Sequence, residues 1–147
     1  MATSAVHLST MSASGRASAG QSTVALFARV LLAMLFVLSG LGKVIAPEAT
    51  LAYIKAAGLP FAPLALAGSA LVELVGGTAL IFGYRTRLAA VVLAVFTVMA
   101  ALAFHSHFAD QNQMVHFLKN LAITGGLLQV AAFGGGGFSL DGRRSRK

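Results

Sequence analysis

In "MVHFLKNLAITGG", residues 114 to 126, Lys119 and Asn120 stand side by side in an otherwise apolar stretch, with His116 and Thr124 at helical spacing beside them. A carboxylate, Glu73, is set into a second apolar stretch, and Arg29 and Lys43 mark the two ends of a third. Amine, carboxylate, amide and imidazole groups on an apolar background can hold an ion pair, line a pocket for a polar ligand or pass a proton. Each of these needs the groups brought together. His105 and His107 flank a serine with Asp110 nearby, a weak pattern for a metal, and we assign none. The absence of cysteine excludes dithiol chemistry, thioether haem attachment and Fe–S ligation by this chain. Gly134 to Gly137 lacks the Lys-Ser/Thr of a phosphate-binding loop and reads as a linker.

What positions these groups depends on the surrounding solvent. Of 147 residues, 57% are hydrophobic and only 10% are charged, and the mean hydropathy is +0.82. Soluble domains carry roughly 25% charged residues, so this chain is composed for a bilayer. Four apolar runs follow: Val24 to Leu41, Ala62 to Phe82, Leu88 to Phe104 and Met114 to Phe133. Each approaches the ~20 residues that a helix needs to cross hydrocarbon. The expectation is an all-α integral membrane four-helix bundle in antiparallel up-down order over residues 24–133. A disordered N-terminal tail, 1–23, precedes it, and a flexible basic tail, 134–147, follows. "PEATLAYIKAAGLP", from Pro47 to Pro60, has the turn signals and amphipathic middle of a short interfacial helix.

Arg16, Arg85, Arg87, Arg143, Arg144, Arg146 and Lys147 fall on one side of such a bundle, against Lys43 and Lys55 on the other. The positive-inside rule then places both termini in the cytoplasm of a cell whose inner membrane the chain crosses. The net charge of +7 serves topology and contact with anionic lipid rather than nucleic acid.

Depth follows from orientation. Arg29, Ala33, Phe36, Gly40 and Lys43 share one helix face, and Glu73 lies about 16 Å below the start of its run. Ser69, Gly76 and Gly77 lie on the Glu73 face, where small residues admit a neighbouring helix. Lys119 stands one to two turns into its own run, roughly 9 Å above Glu73. The spacing predicts a Glu73–Lys119 ion pair facing the bundle interior. Such a pair is either structural, fixing helix register, or part of an outward-opening pocket. A lysine that merely snorkels to the interface is the third reading.

"RVLLAMLFVLSGLGKVIAP", "GLP", "ELVGGTALIFGYRTRLAA" and "HFLKNLAITGGLL", in that order along the chain, resemble the DoxX family of small four-helix membrane proteins. The resemblance covers roughly residues 26–133. Arg29, Gly40, Lys43, Glu73, Gly76, Gly77, Gly83, Thr86, Arg87, Lys119, Asn120 and Gly126 match the family's recurring positions. It implies a membrane subunit of a quinone-linked or redox-stress oxidoreductase system, at most an accessory to catalysis. The ligand site would hold Lys43, Glu73, His116, Lys119 and Asn120, with Arg29 and Arg87 as structural polar residues. A quinone is the cofactor the resemblance implies, with none bound covalently. The implied partners are the lipid bilayer, a redox partner protein and a second copy of the chain. The alternatives from other classes are a small-solute or proton carrier, gated by the Glu73–Lys119 pair, and a scaffold that recruits a cytoplasmic enzyme.

Overall fold

The computed structural model describes residues 19–144. Among them the chain is all-helical, with six helices: α1 (Ala19–Ile45), α2 (Pro47–Ala56), α3 (Ala62–Phe82), α4 (Thr86–Phe104), α5 (Gln111–Phe133) and α6 (Leu140–Arg144). Three of these, α1, α3 and α4, are long and apolar enough to cross a membrane. α5 has 23 residues, enough for about 34 Å of helix, but His116, Lys119, Asn120 and Gln129 lower its hydropathy and it does not join that set.

The runs extend further than hydropathy alone marks them. α1 takes in residues 19–23, which were expected in the disordered tail; the rest of that tail lies outside the described residues. α5 begins at Gln111 rather than Met114, because Asp110 caps it by accepting the N–H groups of Asn112 and Gln113 at 2.7 and 3.3 Å. α2 is the expected short helix, opened by Pro47 in the first turn. The Tyr53 ring stacks on Phe104 at 5.1 Å and ties α2 to the end of α4.

Between α3 and α4 the chain reverses within three residues. Gly83, at φ 66°, takes the left-handed conformation that ends α3. Tyr84 N–H reaches back to Ala79 O and Gly83 N–H to Leu80 O, the paired bonds of a Schellman turn. Arg85 is also left-handed, at φ 42°, a region that non-glycine residues seldom enter.

Packing is most extensive between α1 and α3 and between α4 and α5, with α3 joining the two pairs. Two adjacent glycines make that junction. A Cβ on Gly76 would lie 2.9 Å from Leu93 of α4, and one on Gly77 would lie 3.2 Å from the backbone oxygen of Ala33 in α1. Neighbouring positions on a helix point about 100° apart, so α3 presents one bare patch to each neighbour. Ala33, Phe36, Leu80, Ala89, Ala90, Leu93, Ala94 and Leu127 close the core between them.

The outward faces are apolar. Phe27, Leu31 and Met99 are 65%, 69% and 64% exposed, while the charged Arg29 is 1% exposed and Glu73 is buried. Charges inside and large apolar side chains outside suit hydrocarbon and not water.

The last segment departs from expectation. Residues 134–144 were expected to be flexible, but they fold back on the bundle: Gly135 and Ser139 are buried, and α6 is capped by Ser139 Oγ, which accepts Gly142 N–H at 2.9 Å.

Candidate functional site

Gly40 sets the first polar cluster. A Cβ there would meet Leu74 Cγ at 2.8 Å and Glu73 Cβ at 3.2 Å, so only a bare backbone lets α3 lie this close to α1. The approach brings Glu73 under Lys43, one turn further along α1. Lys43 Nζ donates to Glu73 Oε2 at 2.7 Å and Oε1 at 2.9 Å. It also donates to Ser39 Oγ at 2.8 Å, and Ser39 Oγ in turn donates to Glu73 Oε1 at 3.1 Å. Both carboxylate oxygens are satisfied. The side chains of Lys43 and Glu73 are 17% and 6% exposed, so the pair is shielded yet reachable from the lysine side.

This overturns the expected Glu73–Lys119 pair. Lys119 is exposed on α5, which packs mainly on α4, and among the described residues the ion pair of Glu73 is with Lys43. The gate that a carrier reading required is therefore not formed. The expected ligand residues divide between two places. Lys43 and Glu73 join α1 to α3, whereas His116 stacks on His105 at 5.0 Å between α4 and α5, with His105 Nδ1 hydrogen-bonded to Gln113 Oε1 at 2.8 Å. Asn120 is half-buried on α5, and its backbone oxygen accepts the Thr124 hydroxyl at 2.8 Å.

Arg29 organises a second cluster at the opposite end of α1. Its guanidinium donates to the backbone oxygens of Gly135, of Phe138 at 2.9 Å and of Ile81 at 3.4 Å. It thereby binds the segment 134–144 to the ends of α1 and α3. Asp141 completes the fastening. Its carboxylate accepts Arg85 N–H at 3.0 Å and both the N–H and the hydroxyl of Thr86 at 2.7 Å, and its own N–H donates to Gly83 O at 3.0 Å. Burial alone would raise the Asp141 pKa. The Thr86 and Arg85 hydrogen bonds and the charge of Arg144 outweigh burial and hold the carboxyl below its ordinary value. Arg87 is exposed, with its guanidinium beside Gly134.

Ser39 and Asp141 are polar partners that the sequence reading missed, and Thr86, named there only as a recurring position of the resembled family, is the partner of Asp141. Ser39 carried a signal, since it precedes Lys43 by four residues and so shares its face. "SLDG" carried another, a serine three residues before the N–H it caps. Nothing local marks Thr86 as the partner of Asp141.

Buried charges joined across apolar helices, with large apolar side chains facing outward, define a multi-pass integral membrane protein in contact with the lipid bilayer. The comparisons agree: the DoxX family model matches residues 24–106, and the chain belongs to the DoxX family. It is 40% identical over 124 residues to the inner membrane protein YqjF of Escherichia coli (strain K12), covering 83% of this chain and 92% of that protein. It is 29% identical over 131 residues to the inner membrane protein YphA of the same organism, covering 85% of this chain and 93% of that protein. No solved structure matches.

Two expectations follow from the clusters. Glu73→Gln and Lys43→Met should each lower stability in detergent by about 3 kcal/mol, the low end for a buried pair because Lys43 is partly exposed. The double change should recover most of that loss, and Lys119→Met should leave the thermal midpoint in place. At the other end, the lowered pKa of Asp141 means that its contribution is fully present above the ordinary carboxylate value of about 3.9. It is lost as pH falls through the lowered folded value. Hydrogen exchange of residues 134–144, corrected for intrinsic rates, should therefore stay slow from neutral pH down to about 5, whereas Asp141→Asn should release the segment at neutral pH.

Proposed function

We propose that this protein is a non-catalytic membrane subunit of a quinone-linked or redox-stress oxidoreductase system. In this reading α1, α3, α4 and α5 cross the inner membrane as an antiparallel bundle, and Ser39, Lys43 and Glu73 form the polar end of a ligand site. The observation that carries it is the Lys43–Glu73 pair. It is a charged hydrogen-bonding group set between two apolar spans, with Lys43 partly accessible. Lys43 gives its three N–H groups to Glu73 and Ser39; exchanging the bond to Ser39 for one to a quinone carbonyl would leave the Glu73 pair intact, and the aliphatic Leu74 beside Gly40 suits an apolar ring and tail. The residues present thus fit a carbonyl headgroup. When bound, such a group would supply the electron-carrying chemistry; Lys43 would orient its carbonyl, and Glu73 would hold Lys43 in place.

The orientation with both termini cytoplasmic is supported by the seven lysines and arginines on that side. α5 joins as a fourth crossing because it is long enough and because His116, Asn120 and Thr124 turn toward the bundle rather than to lipid.

The folded segment 134–144 favours a second reading. It presents Arg143 and Arg144 beside Arg85, all exposed, on one end of the bundle, a fixed basic surface on which a scaffold could seat a cytoplasmic enzyme.

Native mass spectrometry of gently extracted protein separates the two readings. The quinone reading expects an adduct of quinone mass that is reduced about tenfold or more by Lys43→Met, as follows when a charged donor to a bound group is removed, and that is retained by Lys119→Met. A soluble enzyme co-purifying with no quinone adduct would replace this reading with the scaffold.

A further inference from the structure

Beside the folded segment, the outer face of α3 carries a groove of about 530 Å³ lined by Leu74, Val75, Thr78, Phe82, Tyr84 and Leu140. It runs along α3 for about 12 Å and opens outward. Apart from Thr78 the residues along its length are apolar, and Tyr84 lines one end. Phe82 ends α3 and Thr86 begins α4, so Tyr84 and Arg85 stand where two spans leave the hydrocarbon, the level at which tyrosines and arginines concentrate.

The basic end is built. The Arg144 guanidinium lies over the Tyr84 ring, 5.4 Å from its centroid. The guanidinium carries the planar fork of N–H donors that matches phosphate oxygens. Arg143 precedes Arg144 and Arg85 follows Tyr84, and both are exposed. Asp141 nearby accepts from Arg85 N–H and Thr86 and also feels the charge of Arg144. Three arginines thus meet one engaged carboxylate at the mouth of an apolar channel.

We infer that this groove is a binding site for one anionic phospholipid, with an acyl chain laid along Leu74, Val75, Thr78 and Phe82 and the phosphate held by Arg144, Arg143 and Arg85. Charge complementarity selects the occupant. An apolar groove alone would take any lipid tail, but a basic rim at headgroup level discriminates by headgroup charge. A lipid so held would also rest on Leu140 and α6, and so would bear on the segment that Arg29 and Asp141 fasten.

The test uses the full-length protein in detergent with equal amounts of phosphatidylglycerol and phosphatidylcholine of identical chains, the bound lipid being read by native mass spectrometry. Phosphatidylglycerol should be retained preferentially, and Arg143→Gln and Arg144→Gln should each cut the preference by roughly fivefold, the double variant approaching parity. Both side chains are exposed, and an unchanged helical circular dichroism spectrum confirms the fold. Val75→Trp, at an exposed position within the groove, should lower retention of both lipids. Equal retention of the two lipids by the native protein would overturn the inference, as would a preference that survives loss of both arginines. Displacement of the lipid by inorganic phosphate alone would also overturn it, since the groove would then play no part. So would a dimer abolished by Val75→Trp, which would give the groove to a second copy.

Discussion

The ion pair between Lys43 and Glu73 is the interaction on which the arrangement of α1 and α3 turns. A carboxylate carried into apolar surroundings must be matched by a cation and by further donors, or its desolvation outweighs what packing returns. Here the match is complete, with Lys43 on both oxygens and Ser39 on one. It requires the helices to be close. Gly40 and Gly77 supply that closeness by leaving bare backbone where a Cβ would collide with Leu74 or with Val37. The glycines and the charges are therefore one device: contact geometry from the first, a preferred register from the second. Helices in lipid lack the hydrophobic drive that assembles them in water, so such small-residue contacts and polar pairs carry their association.

The same logic acts at the other end with different groups. Arg29 is buried but forms no ion pair among the described residues; backbone oxygens of Gly135, Phe138 and Ile81 accept from its Nη1 and Nη2 instead. The Gly135 and Phe138 carbonyls are in place only because residues 134–144 fold back, and that return is held by Asp141 on the α3–α4 turn. The strained Arg85 conformation is held by the same carboxylate. One end of the bundle is thus joined helix to helix by an ion pair, and the other is closed by a segment from outside the long helices.

Much of this was legible from periodicity. Arg29, Ala33, Phe36 and Gly40 fall on one face by spacing, and they are the buried face of α1. Glu73, Gly76 and Gly77 are likewise buried together. The partner of Glu73 was not legible. Depth counted from the ends of hydropathy runs pointed to Lys119, but the register between two helices is set by where their small residues meet, and that fit is a property of surfaces rather than of spacing along one chain. The folding of residues 134–144 was hidden for a related reason. Four consecutive glycines read as a linker, yet here Gly135 and Gly136 act through their backbone oxygens, toward Arg29 and Ser139, and composition is silent on whether a carbonyl will be used. α5 shows the opposite case: His116, Lys119 and Asn120 are expected in one ligand site with Lys43 and Glu73, whereas His116 stacks on His105 and Lys119 turns outward.

The proximity of Lys43 and Glu73 is open to direct observation in a bilayer. Solid-state NMR of the protein reconstituted in lipid, with nitrogen-15 at lysine Nζ and carbon-13 at glutamate carboxyls, reports through-space coupling between the two groups. The structure predicts a correlation between the Glu73 carboxyl carbon and the Lys43 ammonium nitrogen that disappears in Lys43→Met and persists in Lys119→Met. A Glu73 correlation lost on Lys119→Met and retained in Lys43→Met would contradict the arrangement described here.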